Sequence, residues 1–363
     1  MTQSVSSNNQ PQAEPGPDRE RSLAGADNPL TRLIRGEFTE SRLMSALDLG
    51  DERVPERLWT TALSGPLLEL LERPGKEFRS RLVEVAYDVG GGTRSRRMPE
   101  QLPLLVEILH AGSLIIDDIE DDSRCRRGKP TLHLLVGVPL ALNAGNWLYF
   151  LPHSVLERMQ LEPAVELELR RALDRGVLRC HYGQALDLGA RLGSLAQREV
   201  HDVVSLSTRL KTGSLLELAA ELGGLAAGAE PRLLAELSRF GRNYGVALQM
   251  LDDLSGLYEP GRAHKGHEDL LQGRPTWPWA WLAQRVDELG YSRLQHRARE
   301  VERRELHPEE LAKHLRKELG PTPYRAIHQQ LARALARLEH HVQSRQALAP
   351  LAAEVERLEQ AYG

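Results

Sequence analysis

From Asn28 onward the apolar positions recur at three- and four-residue spacings, the period of a helix face rather than the alternation of a strand. Tyr324, Ile327, Leu331, Leu335, Leu338 and Val342 make one such stripe, with Arg and Gln among the intervening positions. Leu, Ala, Glu and Arg, all good helix formers, dominate, and no segment sustains a period of two. Proline and glycine mark expected breaks at Pro66, Gly90–Gly92, Pro130, Pro139, Gly223–Gly224, Pro260–Gly261, Pro321 and Pro350. The pattern predicts a single all-α domain over residues 28–363, without a solenoid repeat. Residues 1–27 lack it. Ser, Asn, Gln, Pro and Gly prevail there, so a disordered tail is expected, either without a role or docking a partner.

Two helices share one design. The segment from Leu102 carries Leu104, Leu105, Ile108, Leu109, Leu114, Ile115 and Ile116 and finishes Asp117-Asp118-Ile119-Glu120-Asp121-Asp122. Asp117 and Asp121 fall one turn apart on one face, as do Asp118 and Asp122. Like charges so placed cost about 0.2–0.5 kcal/mol per pair, and carboxylates in a helix's last turn oppose its macrodipole by about 0.3–1 kcal/mol each. Folding gains nothing from this crowding, and a divalent cation would reverse the sign of both penalties. Phe240, Tyr244, Ala247, Leu248 and Leu251 form a second stripe that runs into Asp252-Asp253, after which breaks are expected at Ser255-Gly256 and Pro260-Gly261. Two such ends facing each other across a bundle mouth would hold hard cations through oxygen. With no His or Cys beside the aspartates, that favours Mg²⁺ over zinc.

A lone acidic cluster is more often a solvated helix face. Here each is followed by basic residues suited to phosphate. Arg124-Cys125-Arg126-Arg127-Gly128-Lys129 follows the first cluster, and Arg73-Pro74-Gly75-Lys76-Glu77-Phe78-Arg79 and Lys211-Thr212-Gly213 add two more basic turns. Guanidinium groups grip phosphate bidentately and stay charged at any working pH.

Composition narrows the class further. The 363 residues are 41% hydrophobic, enough for a sizeable core, and carry a formal net charge of −4, which gives no basic surplus for nucleic acid. Cys125 and Cys180 match no zinc or redox spacing, which points to a reducing compartment. The stretch Val136 to Pro152 is interrupted by Asn143 and Asn146 and is too short and polar for a membrane span. With no secretory signal visible, a cytoplasmic location is expected.

The run His110-Ala111-Gly112-Ser113-Leu114-Ile115-Ile116-Asp117-Asp118-Ile119-Glu120-Asp121, with Arg126-Arg127-Gly128 after it, closely resembles the first aspartate-rich motif of the trans-isoprenyl diphosphate synthases. Leu248-Gln249-Met250-Leu251-Asp252-Asp253 is similar to the second, and the likeness is greatest to eukaryotic-type geranylgeranyl diphosphate synthases. The resemblance implies an isoprenoid-synthase helical bundle around a central cavity, working as a homodimer. It implies condensation of isopentenyl diphosphate with an allylic diphosphate to a C20 product. Asp117, Asp118 and Asp121 would hold two Mg²⁺, and Asp252 and Asp253 a third. Arg126 and Lys211 would grip the allylic diphosphate; Gly75, Lys76, Arg79, His110 and Arg127 match the isopentenyl diphosphate site. Thr212 and Gln249 would place polar atoms near the developing cation, with Gln184 and Asp187 beside the metal centre. Small residues at Gly112 and Ser113 would leave the tail path open, down to a floor of Tyr149, Phe150 and His181.

Three positions depart from the family pattern. Gly256 stands where a third acid can occur, Gly273-Arg274 replaces a Gly-Lys pair, and Lys265 lies four residues before Asp269, one fewer than usual. The family would use Lys265 and Arg274 on the diphosphate. The alternatives are a class I terpene cyclase, which has no use for Lys76, Arg79, His110 and Arg127, and a non-catalytic subunit of the same fold.

Overall fold

The computed structural model describes residues 28–48, 52–73, 75, 77–92, 98–342 and 345–362. The tail expected over 1–27 and Lys76 lie outside them. In chain order the helices are α1 (Pro29–Glu37), α2 (Glu40–Leu47), α3 (Glu56–Trp59), α4 (Gly65–Leu71), α5 (Phe78–Val89), α6 (Leu104–Glu120), α7 (Leu132–Val136), α8 (Val138–Arg158) and α9 (Pro163–Gly189). They continue with α10 (Gln197–Thr208), α11 (Ser214–Ala227), α12 (Pro231–Tyr258), α13 (Ala263–Leu271), α14 (Trp277–Arg285), α15 (Glu288–Glu302), α16 (Pro308–Leu319), α17 (Thr322–Leu338) and α18 (Ala349–Gln360). The all-α expectation is met.

Helix α11 forms the centre because it is apolar nearly all round, and such a helix is stable only when covered on all sides. It packs against α5, α9 and α12. Close approach to α5 needs Gly223, where a Cβ would stand 2.2 Å from the Val83 carbonyl oxygen. Helices α6 and α8 pair in the same way, with Gly112 against Gly145. A proline in the first turn opens α8, α9 and α12, where its missing N–H costs no helical bond.

Three local features differ from the sequence expectation or were not visible in it. Helix α12 does not break at Ser255-Gly256 but runs on to Tyr258, because Ser255 and Gly256 are buried and Gly256 lets the chain at Gly266 pass close. Asp252 and Asp253 therefore sit inside the helix rather than at its end. A second feature is a short hairpin, β1 (Cys125–Arg126) with β2 (Lys129–Pro130), paired Arg126 to Lys129. Its two-residue turn, Arg127-Gly128, has φ of +52° and +77°, the left-handed pair that a tight hairpin requires. Third, α10 and α11 are joined without a loop by a π-helical turn, Arg209–Gly213. An inserted residue of this kind rotates the side chains after it, and such turns recur at functional sites.

Candidate active site

A cavity of about 1040 Å³ opens among α5, α6, α8, α9, the π-helical turn and α12. Both acidic segments face it: Asp117 and Asp121 from α6, Asp252 and Asp253 from α12. Each carboxylate is held by the protein's own donors. Lys211 Nζ reaches Asp117 at 2.9 Å and Asp187 at 2.7 Å, while Gln184 Nε2 donates to Asp117 at 3.0 Å and to Glu120 at 2.6 Å. Arg274 pairs with Asp121, Lys265 with Asp252, and Arg262 meets Asp252 at 2.5 Å. Two of the three sequence departures, Lys265 and Arg274, thus bring their charge into the cavity, where each neutralises an aspartate. The like-charge crowding inferred from the sequence is relieved internally.

The titration behaviour follows. Burial works to raise the Asp252 carboxyl, but Lys265 and Arg262 hold it down to about 2. Asp253 is pushed up to about 6 by burial, against the Trp277 main-chain N–H and the Gln249 amide that donate to it. Burial also raises Asp269 to about 7. Thr212 Oγ1 donates to Gln249 Oε1 at 2.9 Å and Gln249 Nε2 to Asp253 at 2.8 Å, so the π-helical turn and α12 are linked through the pair expected near a developing cation.

Asp118 departs from its expected place. It is 2% exposed, does not line the cavity, and accepts from Arg126 Nε at 2.9 Å and Nη2 at 2.5 Å. One position from Asp117 on a helix is a rotation of about 100°, which turns it from the cavity into the wall. Its geometry is that of a residue that positions Arg126, not of a metal ligand.

The opposite wall is basic. Arg79 Nε is buried without an acceptor among the described residues. Arg127 lies beside it, its Nη1 donating to the Arg73 carbonyl at 2.9 Å. Gly75 makes room there, since a Cβ would stand 3.2 Å from Arg127 Nη2. The buried Arg73 holds the hairpin backbone, donating to the carbonyls of Arg126 and Pro130 at 2.8 Å each. His110 is held well below the usual imidazole range by burial and by Arg79, Arg127 and Arg126, so it is neutral and can donate one N–H. The donors of Arg79, Arg127 and His110 on one wall, with Arg79 Nε left without an acceptor among the described residues, fit an anion with several oxygens.

At the far end Tyr149 and His181 stand with ring centroids 5.1 Å apart and line the cavity with Ser113. Phe150 does not. It is 73% exposed on the other face of α8, the expected consequence of one residue's helical rotation. Gly112 is also absent from the lining; its small size serves the α6–α8 contact. Sequence reading missed Arg262, Tyr362 and Glu120. Tyr362, under the Arg262 guanidinium at 5.1 Å, comes from the other end of the chain and has no local signal. Arg262 follows the Pro260-Gly261 turn, which marks a chain reversal back toward Asp252.

Carboxylate and amide oxygens with no Cys among the acidic donors are the donor set of a hard divalent cation, so the residues present fit Mg²⁺. No group of three or more metal-donor side chains converges to ligand distance among the described residues, because lysine and arginine stand between the carboxylates. Acids and guanidiniums thus share one pocket, and guanidinium groups suit phosphate oxygens.

Residues 60–314 match the polyprenyl synthetase family, and the chain belongs to it. It is 32% identical over 222 residues to a geranylgeranyl pyrophosphate synthase of Penicillium paxilli, covering 59% of this chain and 55% of that protein. A geranylgeranyl pyrophosphate synthase of Eremothecium gossypii is 32% identical over 232 residues, 61% of this chain and 70% of its own. The chain thus spans little more than half the length of the first of these relatives. Among solved structures, geranylgeranyl pyrophosphate synthetase from Pyrococcus horikoshii superposes with a TM-score of 0.67 at 23% identity, over 91% of this chain and 98% of that one. A decaprenyl diphosphate synthase from Rhodobacter capsulatus gives 0.68 at 22%, over 92% and 100%. These superpositions establish the shared fold.

Proposed function

We propose that the protein is a Mg²⁺-dependent trans-prenyltransferase that joins isopentenyl diphosphate to an allylic diphosphate, with geranylgeranyl diphosphate as product. The observation that carries this reading is the pairing of two anion sites in one cavity: an acidic mouth stitched by Lys211 and Arg126, and a separate wall of Arg79, Arg127 and His110, where Arg79 Nε is buried without an acceptor among the described residues. A cyclase would have no second diphosphate for that wall.

Arg126 and Lys211 bind and orient the allylic diphosphate, and Asp118 keeps Arg126 aimed. Asp117, Asp121, Asp252 and Asp253 would hold Mg²⁺, which when bound neutralises the charge that develops on the departing diphosphate. Heterolysis of the allylic C–O bond leaves a carbocation, and Thr212 Oγ1 and Gln249 Oε1, 2.9 Å apart on the cavity lining, would offer it lone pairs. The isopentenyl double bond then forms the new C–C bond. A proton is lost to the departed diphosphate, since neutral His110 sits among guanidiniums on the other wall and cannot readily take up a positive charge. Tyr149 and His181 close the tail path and set product length. Leu135 on α7, Val138 and Phe150 on α8, and Leu178 and Tyr182 on α9 are exposed apolar residues that a second copy covers in a homodimer.

The test is a chromatographic product assay with isopentenyl diphosphate, Mg²⁺ and dimethylallyl, geranyl or farnesyl diphosphate in turn. A C20 product that requires isopentenyl diphosphate supports the reading. Consumption of geranylgeranyl diphosphate supplied alone would sink it in favour of cyclisation.

A further inference from the structure

On the reverse side of the wall that carries Lys211 lies a second groove, of about 860 Å³, between α10, α12, α14, α17 and the π-helical turn. Its lining includes five arginines, Arg209, Arg239, Arg242, Arg333 and Arg337, and no carboxylate. In a chain of net charge −4 that is a local excess of positive charge. Arg242 is occupied by Glu217 and Arg239 by Glu236 at its rim. Arg209, Arg333 and Arg337 form no ion pair among the described residues, and Arg333 donates only to the Gln329 carbonyl. Asn243, Gln284 and Gln330 add amide groups, and Trp281, Val246 and Met250 give the floor an apolar part. Crowding like charges here gains nothing for folding, by the same logic as the acidic mouth.

We infer that this groove binds a soluble ligand carrying two or more phosphate groups and that the ligand regulates the enzyme rather than serving as substrate. Forked guanidiniums from three segments of the chain suit several phosphate oxygens at once, and a groove of this size holds more than a single carboxylate. Its concavity favours a free ligand over a flat lipid surface. No reacting group of the first cavity opens into it, but the two share structure. Arg209 and Lys211 belong to one π-helical turn. Trp277 lines the groove, donates its indole N–H to Thr208 and its main-chain N–H to Asp253. Met250 lies within one turn of Gln249 and Asp253 on α12. A ligand drawing Arg209 outward therefore acts on the turn that carries Lys211 and Thr212. The kinetic consequence rests on the proposed prenyltransfer; the binding does not.

The binding test is calorimetric titration of the whole protein with tripolyphosphate, without divalent cations. The wild type should show two classes of site. Arg333→Ala with Arg337→Ala should weaken one by about tenfold or more while the melting temperature is unchanged, and Arg337→Glu should weaken it further. Arg79→Ala with Arg127→Ala should remove the other class only. Hydrogen exchange should show protection over 239–250 and 326–337 on adding tripolyphosphate. A single class of site, or an isotherm indifferent to the groove variants, overturns the inference. So does binding of phosphatidylglycerol vesicles through Arg333 and Arg337 without tripolyphosphate binding. With Mg²⁺ in excess, tripolyphosphate should change kcat at saturating substrate about twofold or more in the wild type and not in the Arg333→Ala/Arg337→Ala protein, whose basal rate is normal. An equal response in both would overturn the regulatory part alone, leaving the binding result to stand by itself.

Discussion

Asp117 and Asp118 are neighbours with the same side chain and opposite circumstances. Asp117 faces the cavity and accepts from Lys211 and Gln184, whereas Asp118 is buried against Arg126. Asp117→Ala should lower kcat by about 10³-fold, the scale of losing a preorganised charge partner. It should also lower the melting temperature slightly, because Lys211 and Gln184 lose a partner in the unliganded protein; the sequence alone suggested the opposite sign. Asp118→Asn keeps one acceptor for Arg126 and should act mainly on KM for the allylic diphosphate, with Asp118→Ala worse than Asn. Steady-state kinetics on both variants separate the two roles, and equal kcat losses would contradict the assignment. The same argument from rotation applies on α8. Tyr149→Ala should lengthen the product, while Phe150→Ala should leave its length unchanged.

At the scale of elements, the path from sequence to site was legible where the signal is local. The apolar stripes of α6 and α12 and the acid pairs they deliver could be read because helical period and charge spacing depend only on nearby residues. The extension of α12 past Ser255-Gly256 could not, since the close passage of Gly266 that buries them is a long-range contact. Nor could the π-helical turn, because an inserted residue leaves no composition mark while it changes where Lys211 and Thr212 point. The turn is held in place by Gly183 on α9, where a Cβ would lie 2.3 Å from the Lys211 nitrogen. Gly183→Ala should cost about 1–3 kcal/mol of stability, as overpacking does. Activity should fall further than stability, since α9 also presents Gln184 and Asp187 to the site. Urea unfolding and turnover measured on the same preparation test this. Activity that merely follows the folded fraction would show that the contact is structural only.

For the whole molecule, the resemblance read from residues 110–128 foretold the family, and the bundle around one cavity agrees with it. The proposed assembly left a weaker trace in the sequence. Exposed apolar residues on α8 and α9 look like ordinary core positions until the fold shows them uncovered. Phe150→Glu together with Tyr182→Glu should convert a dimer to a monomer in sedimentation velocity, and an unchanged coefficient would place the interface elsewhere. Chelation of divalent ions should abolish turnover. It should leave the melting temperature within about 2 °C, because the acidic mouth is already neutralised, a shift worth about 1.5 kcal/mol at most for a chain this long.

That internal neutralisation reaches beyond catalysis. A protein that carries its own counter-ions at an acidic opening does not depend on its cofactor to stay folded. On the proposed Mg²⁺ dependence, magnesium starvation would idle the protein without exposing it to degradation, and restoring the ion would restore output with no new synthesis.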